Sequence, residues 1–513
     1  MTVCFEENLR VNEVETLAAA APRKGNKWSE LLPVLLIVGV GLCLRLFKIG
    51  DHGFFIDEVY TALVVNGKAD PELIAFDSIR PLYFELMKFW TLARQDEVWM
   101  RLFSTIFGAA NIALVYQLGK MVAGKKVGFI AAIILALSPM EIHYSQQARM
   151  YTLGSFFALL GSICLTDALN VGRKISLFSW AVSRTLMILT LPLTAVLIGV
   201  DVLLAALNPE RKKFLPHLFG WLVLVGLLWS PVLNTMWQLN KNSPYDEWRG
   251  NLPTPLTSDF TTMIINFTCS ALPLQQWQGP PVQDLFSILY VIAFVTALGM
   301  GVFANKNKSA VMWGIVPLFA IFAISFFAKP LLITRYCMFT APFIFIVAAS
   351  GYVQIWKSNK IAALAMQVLF ASAIAVNLNY FYNHPVHEDW RAATIYVMSQ
   401  EKAGDEICVW NYHSQYSFPL YYHGHNRVSD IRVVVRNRDD LSKGSFVHFE
   451  NIKPTKGQRM LLVMHVPAKG FGHIYDHYQT FLKNVDKQFK VIHQESLGMM
   501  DVFEVELLES ETH

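Results

Sequence analysis

The sequence predicts an α-helical polytopic membrane protein with a small α/β domain at its C-terminal end. Of 513 residues, 54% are hydrophobic and only 16% are charged, and the mean hydropathy is +0.36. A soluble chain of this length carries more charge. The apolar residues are grouped in runs of about 17–25, the length that spans the hydrocarbon of a bilayer. These runs stop near residue 382.

Composition also excludes some partners and sites. The formal net charge is only +4, so we expect no nucleic-acid partner. The cysteines lie far apart, and several fall in apolar runs, without the spacing of a zinc site or a disulfide framework. They are Cys4, Cys43, Cys164, Cys269, Cys337 and Cys408.

The apolar runs predict about eleven membrane-spanning helices, in a membrane domain that covers residues 31–381. They lie near residues 31–48, 98–119, 127–140, 150–169, 175–191, 193–207, 215–237, 284–304, 309–328, 336–355 and 360–381. Leu191-Pro192 divides one long run into two spans, because proline interrupts a helix. Residues 1–30 form a polar tail, and the first span, which no small-residue cleavage site follows, is expected to remain as an anchor.

Lysine and arginine in the short loops predict the orientation. Basic clusters such as Lys125-Lys126 and Arg211-Lys212-Lys213 recur at alternate helix ends, which is typical of the cytoplasmic side. The opposite ends carry fewer basic residues per segment. With an odd number of spans, the N-terminus is then cytoplasmic and the C-terminus exterior.

Two exterior loops are long, near residues 49–97 and 238–283. The first contains PELIAFDSIRPLYFELMKFWTLARQ, in which apolar and charged residues recur at helical spacing. This pattern predicts amphipathic helices that lie in the membrane interface, with Tyr83 and Trp90 at headgroup level.

Residues 382–513 form the predicted exterior α/β domain. The segments WRAATIYVMSQE and YDHYQTFLKNV predict helices, whereas EICVW, RMLLVMHV, FKVIHQESL and MMDVFEVELL predict strands. Asp389, directly before the first of these helices, is expected to cap it.

Asp57 and Glu58 follow the first span, in the segment GDHGFFIDEVY. Acids in a loop are usually solvated or stabilise the start of a helix. Here, however, Phe54, Phe55 and the following apolar residues surround them at the membrane surface. Such a setting suits a general base with a raised pKa, or a ligand of a divalent metal. We therefore expect a functional site at this pair.

A second polar cluster, SPMEIHYSQQARMY, occupies the short exterior turn between the third and fourth spans. An aromatic belt explains its tyrosines, including Tyr151. Glu141, His143 and Arg149 are harder to explain structurally, because charges at the membrane rim are costly and usually functional.

Arg335 begins the tenth span from the exterior side, shortly after Lys329. It is either a snorkelling arginine or a cation for a lipid-linked phosphate, whose oxygens match the planar guanidinium group. Arg80 and Arg101 are secondary candidates for this role, and Arg101 is better explained as an anchor of the second span.

These segments together resemble the GT-C membrane glycosyltransferases that use polyprenyl-phosphate sugars. The likeness is to the family-39-type, dolichyl-phosphate-mannose mannosyltransferase-like group, which includes lipopolysaccharide-core and lipid A sugar transferases. It rests on FFIDEVYTA, RPLYFELMKFW, WMRLFSTIFGAANIALVYQLGKMVAG, ALSPMEIHYSQQARMYTLGSFFALL, ITRYCMFTAPFIFIVAASG and EDWRAATIYV. The segments extend over residues 50–380 and, more loosely, into the tail.

The resemblance implies roles for several residues. Asp57 is the catalytic acid of the first exterior loop, with Glu58 beside it, and Arg335 meets the donor phosphate, with Arg149, Lys329 and Arg80 as further candidates. Tyr60, Glu141, His143 and Tyr151 are placed at the cavity rim. Many relatives carry a His-Pro-Pro-type stretch where this chain has Arg80-Pro81-Leu82, so a histidine contact there is not expected.

The expected reaction is sugar transfer from a polyprenyl-phosphate donor to an exterior acceptor, in a bacterial plasma membrane. Asp57 takes the acceptor proton in one inverting displacement, and arginines stabilise the departing phosphate. A divalent metal at Asp57 and Glu58 is an open alternative, and no nucleotide cofactor is expected. A transporter or lipid flippase is the first rival, for which Asp167, Arg184 and Asp201 are the charges in or near spans. A non-catalytic scaffold is the second.

Overall fold

The computed structural model describes most of the chain, and every structural statement below concerns those residues. They are 27–207, 215–242, 281–304, 308–327, 331–384, 387–410, 414–433, 447–449, 455–466 and 473–508, with residues 212, 263 and 267. The predicted exterior loop 238–283 lies outside them except at its ends and at two single residues.

The first part of the described chain is helical. Its elements are α1 (Lys27–Leu46), α2 (Ile56–Val65), α3 (Pro71–Asp77), α4 (Pro81–Thr91), α5 (Glu97–Ala123), α6 (Lys125–Leu137), α7 (Pro139–Ser145), α8 (Tyr151–Val171), α9 (Lys174–Thr190), α10 (Val196–Ala206), α11 (Leu215–Asn242), α12 (Pro281–Ala304), α13 (Ser309–Phe327), α14 (Thr334–Cys337), α15 (Ala341–Ser358) and α16 (Lys360–Asn383). Short 3₁₀ turns at Pro192–Ala195 and Met338–Thr340 lead into α10 and α15.

Every predicted span coincides with one or two of these helices, and the break at Leu191-Pro192 is confirmed. Within the described ranges, five helices have the length and composition needed to cross a membrane, or six if the pair α6–α7, which is bent by 60°, forms one span. Some of the other helices are shorter, such as α9 with 17 residues.

The loop after α1, which the sequence predicts to be exterior, folds into the three helices α2–α4, as its amphipathic pattern predicts. The turn at Ser138-Pro139 starts α7, where Ser138 caps the helix and proline occupies the first turn. α7 therefore leaves the direction of α6. The turn that follows α7 contacts the start of α2, where the N–H of Ala148 donates to Glu58.

Two glycines allow α12 and α15 to pack directly on each other. A Cβ atom at Gly301 would lie 1.9 Å from the carbonyl oxygen of Val347, and one at Gly351 would lie 1.8 Å from that of Ala297. No side chain fits at these distances, so the two backbones touch. The same bundle buries α15 almost completely along its first ten residues.

The C-terminal part is an α/β domain with a six-stranded sheet in the order β3-β2-β1-β4-β6-β5. Its elements are α17 (Trp390–Gln400), β1 (Glu406–Trp410), α18 (Ser414–Tyr421), β2 (Arg427–Val433), β3 (Val447–Phe449), β4 (Arg459–His465), α19 (His473–Gln488), β5 (Phe489–Leu497) and β6 (Met500–Leu507). β1 pairs in parallel with β2 and β4, and the other pairs are antiparallel.

The predicted helices and the four predicted strands of this domain are confirmed. The sequence analysis missed α18, β2 and β3. β2 reads RVSDIRV, where polar residues obscure the alternation of a strand, and β3 has only three residues.

Candidate active site

Asp57 lies in the first turn of α2, which begins directly after the extended residue Phe55. Its side chain is 21% exposed, and its Oδ2 accepts a hydrogen bond of 3.2 Å from Nη1 of Arg335. Arg335 belongs to the short α14 and is separated from Asp57 by 278 residues of sequence. The structure therefore brings together the two residues that the sequence analysis ranked first for the reaction.

Arg149 forms the other side of this site. Its Nη1 donates to the backbone oxygen of Asp57 at 2.9 Å and to Thr61 Oγ1 at 3.1 Å. The hydroxyl of Ser104 donates to the carbonyl oxygen of Arg149 and fixes its backbone. Arg149 thus supports the turn that carries Asp57 while keeping its own charge beside the carboxylate.

Two buried N–H groups at this site lack an acceptor. The Nε atoms of Arg149 and Arg335 are out of reach of solvent and have no hydrogen-bond partner among the described residues. Buried donors are normally satisfied, so two charged donors without acceptors can still bind an anionic group. Tyr151, which is almost fully buried, also interacts electrostatically with both arginines and with Asp57.

The pKa of Asp57 differs from the prediction. Burial raises the pKa of this carboxyl, but the guanidinium groups of Arg335 and Arg149 outweigh burial and leave it below its ordinary value. The expectation of a raised pKa was wrong for the protein without ligand, because the sequence could not show that two arginines from distant segments flank this acid.

Glu58 is placed differently from Asp57. Its carboxylate is fully buried and pairs with Arg101 through two hydrogen bonds, of 2.6 and 2.9 Å, while the backbone N–H of Ala148 donates to Oε1 at 2.8 Å. Arg101 also donates to the carbonyl oxygens of Ile49, His52 and Gly53. This ion pair ties the end of α1, the start of α5 and the start of α2 together.

A divalent metal does not fit this pair of acids. The two oxygens of Glu58 are already bound by Arg101 and by backbone N–H groups, and Asp57 faces two arginines. Within the described residues, no group of three or more His, Cys, Asp or Glu side chains is arranged to hold a metal.

The structure places the remaining candidates, Arg80, Tyr60 and Lys329, in different surroundings. Arg80 is buried and pairs with Asp77 at 2.8 Å, and its charge also acts on Asp57. Tyr60 packs edge-on against Tyr416 at 5.5 Å, under the C-terminal domain. Lys329 lies outside the described residues.

His143 and Glu141 are not part of the Asp57–Arg335 pair. Nε2 of His143 lies 2.9 Å from the amide nitrogen of Gln147, which lies 3.1 Å from Nε2 of His387. These side chains line a cavity of about 70 Å³, which is enough for water molecules but not for a sugar ring. Glu141 is fully buried near Arg45, with neither carboxylate oxygen paired among the described residues.

Sequence reasoning missed the contribution of the segment 387–391 and of α18 to this region. His387 stacks on Phe55 with ring centroids 4.1 Å apart, and Tyr421 reaches the N–H of Phe54. The only available signal was the polar segment HEDWR, of which Asp389 was interpreted as a helix cap. That cap is confirmed, because Asp389 accepts from the N–H of Ala392 at 3.0 Å.

Two of the three charges named for a transporter form a closed network, whereas Asp167 contacts Arg173 and Ser176 near the end of α8. Arg184 and Asp201 are fully buried and paired at 2.7 Å, and the indole N–H groups of Trp180 and Trp313 both donate to Asp201. Arg184 further donates to Ser162. This arrangement is typical of a structural ion pair rather than of an ion-binding site.

The fold is the GT-C fold of polytopic membrane proteins. Among solved structures, the chain is similar to ArnT from Cupriavidus metallidurans in the apo state, with 12% identity, a TM-score of 0.54, and coverage of 92% of this chain and 97% of that one. The same enzyme bound to undecaprenyl phosphate matches with 11% identity, a TM-score of 0.53 and the same coverage.

A third similar structure is the Archaeoglobus fulgidus oligosaccharyltransferase tethered with an acceptor peptide, with 12% identity and a TM-score of 0.52. The match covers 78% of this chain but only 64% of that chain. At such identities the likeness establishes the fold alone. No protein-family model matches the sequence, and no curated protein does.

Proposed function

We propose that this protein is a glycosyltransferase that takes a sugar from a polyprenyl-phosphate donor and delivers it to an acceptor at the exterior face of the membrane. The observation that carries the proposal is the pairing of Asp57 with Arg335 beside two buried guanidinium N–H groups that lack acceptors. The GT-C fold supports it, and a similar structure contains undecaprenyl phosphate.

Arg335 and Arg149 are suited to hold the donor phosphate. Each keeps its Nε–H free of partners among the described residues, and Arg335 is 30% exposed, so a ligand can approach it. Guanidinium groups bind phosphate oxygens through parallel hydrogen bonds. Their positive charge also stabilises the phosphate as the bond to the sugar breaks, which is where catalysis requires it.

Donor binding would convert Asp57 into a base. Without ligand, Arg335 holds the pKa of Asp57 down and makes its carboxylate a weak proton acceptor. A phosphate that takes hydrogen bonds from Arg335 cancels part of that positive charge. The pKa of Asp57 then rises, and the acid becomes a better base only when the donor is in place.

The proposed chemistry is a single displacement. The acceptor oxygen or nitrogen attacks the anomeric carbon, while its proton passes to the carboxylate of Asp57. The bond from the anomeric carbon to the phosphate oxygen breaks, and the bonding electrons leave with polyprenyl phosphate. One displacement inverts the anomeric configuration, and the protein regains its starting state when Asp57 loses the proton to water.

Replacement of Asp57 tests this proposal. Asp57→Asn keeps the size of the side chain but removes the base, so we expect transfer from a purified polyprenyl-phosphate sugar to fall by about 10² or more. Asp51→Asn, on an exposed acid of the same segment, is the matched control and should retain activity. Near-normal transfer by a folded, membrane-inserted Asp57→Asn protein would remove Asp57 from this role.

A further inference from the structure

Four consecutive backbone N–H groups precede or begin α2, and all four are bound by side chains. The N–H of Gly53 donates to Asp389 at 3.1 Å, and that of Phe54 donates to the hydroxyl of Tyr421 at 2.7 Å. The N–H of Phe55 donates to Glu58 at 3.3 Å, which belongs to α2 itself. Such groups at a helix start have no partner within the helix and must be satisfied from outside.

The fourth N–H, of Ile56, donates to Glu388 at 3.2 Å. Three of the four acceptors therefore belong to the segment that leads into the C-terminal domain or to α18 of that domain. His387 adds a stacked ring on Phe55, at 4.1 Å and an interplanar angle of 10°. Residues 53–56 are thus each contacted from residues more than 330 positions later, and the next residue is Asp57.

Gly53 permits this close contact. A Cβ atom at that position would lie 2.6 Å from Cβ of Arg391 and 3.0 Å from Oδ1 of Asp389. Both neighbours stand at the start of α17, where Asp389 is already engaged as the cap. Any side chain at residue 53 must therefore push the start of α17 away from the loop.

A second set of contacts fixes the same segment from its other side. Nη2 of Arg391 donates to the carbonyl oxygens of Gly50 at 2.8 Å and Asp51 at 3.0 Å, and its Nη1 lies 3.4 Å from Glu97. The hydroxyl of Tyr421 donates to the same carboxylate of Glu97 at 2.9 Å. Glu97 begins α5, so the contacts join the C-terminal domain to the membrane bundle on both sides of the loop.

We infer that the C-terminal domain positions the catalytic acid: residues 387–391 and Tyr421 form a clasp that holds segment 50–56 and thereby sets the location of Asp57 relative to Arg335. This inference rests on the proposed function. It gives the domain a role in turnover rather than in folding alone, because Asp57 reaches its partner only while the domain is docked. If the domain undocked from the membrane bundle, the rate of sugar transfer would fall although no reacting group had changed.

Three single variants weaken the clasp without touching the reacting groups. Tyr421→Phe removes only a hydroxyl, Gly53→Ala introduces the forbidden Cβ, and Asp389→Ala removes the acceptor, whereas Asp389→Asn keeps an acceptor oxygen. Ser399→Ala, on an exposed residue of α17, is the control. Each protein is studied full-length in detergent, by hydrogen exchange of the amides of residues 53–56 and by steady-state transfer from a polyprenyl-phosphate sugar.

For the first three variants we expect faster exchange at residues 53–56 and a kcat lowered about tenfold or more, since small misplacements of reacting groups have effects of this size. The donor KM should change much less, and Asp389→Asn should recover part of kcat. Unchanged exchange would show that the clasp does not hold the segment, and faster exchange with wild-type kcat would show that it does not position Asp57. If the wild type transfers no sugar, the proposed function fails, while exchange still decides whether the clasp exists.

Discussion

Asp57 and Glu58 are consecutive residues of one helical turn, and their side chains leave the helix about 100° apart. Asp57 therefore faces the partly exposed site with Arg335, while Glu58 turns inward to Arg101. A buried pair of this kind adds little net stability, but loss of one partner costs about 3–5 kcal/mol because the other charge stays buried. Glu58 accordingly holds the loop in place, and the proposed mechanism assigns the chemistry to Asp57 alone.

The pH dependence of transfer should separate the free and donor-bound states of Asp57. In the proposed mechanism transfer requires the carboxylate of Asp57, so we expect the rate to fall as the pH drops through the pKa of this group. In the free protein Arg335 and Arg149 keep that pKa low, and kcat/KM should hold its value to a pH below the ordinary range of an aspartate. The acidic limb of kcat should lie at higher pH, because the bound phosphate competes for Arg335.

Complete pH profiles of kcat and kcat/KM for the wild type provide this test, with Asp51→Asn as the control that leaves both limbs in place. Coincident limbs would mean that donor binding does not alter the environment of Asp57, and the mechanism would then need a different base.

For single residues, the sequence was informative where a charged side chain lies beside an apolar span. Asp57 and Arg335 were identifiable because each is a charge next to an apolar span. Tyr421 and Arg391 were not, because their role depends on a contact across more than 320 residues that no local pattern records. The pairing of Glu58 with Arg101 spans only 43 residues, but no local pattern records it either.

At the scale of elements, the apolar runs located the helices, since burial in lipid or protein requires the same residues at the same spacing. The bend between α6 and α7 was not predicted. The structure shows it, and Ser138-Pro139 explains it as the start of a new helix. Short elements with mixed polarity, such as β2 and β3, leave too little pattern to detect. Helix packing was also invisible, and the contact of α12 with α15 depends on Gly301 and Gly351.

Alanine at these glycines should test that contact. Gly301→Ala places a Cβ 1.9 Å from a backbone oxygen, which side-chain movement cannot relieve, so we expect a loss of about 1–3 kcal/mol of stability. Gly299→Ala is the matched control on the same helix, because nothing lies within 4 Å of its Cβ. Alanine favours a helix over glycine, so the control should be neutral or slightly stabilising.

Midpoints of thermal unfolding in detergent, taken under identical conditions for the three proteins, would measure the difference. Equal midpoints for Gly301→Ala and Gly299→Ala would show that α12 and α15 are not in backbone contact.

For the whole molecule, the structure separates two sets of charges at opposite ends of α1 and α5. Glu30, at the start of α1, pairs with Lys120. Its Oε2 also lies 3.3 Å from Nζ of Lys125. At the opposite ends of these helices, Arg101 at the start of α5 pairs with Glu58, which follows the C-terminal end of α1. Lys125, one of the basic residues that predicted the cytoplasmic side, thus lies at the end remote from Asp57, as expected for a reaction site on the opposite face.

Which end faces the cytoplasm is open to direct measurement. We expect Asp51→Cys to react with a membrane-impermeant maleimide on intact cells or sealed, right-side-out vesicles, and Lys125→Cys to react only after permeabilisation. Peptide-level mass spectrometry distinguishes these sites from the native cysteines, and both residues are exposed in the structure, so steric protection does not confuse the result. A polyprenyl-phosphate donor presented at the exterior leaflet can reach Asp57 only with this orientation. The reverse labelling pattern would place Asp57 in the cytoplasm and would require a donor displayed on that side.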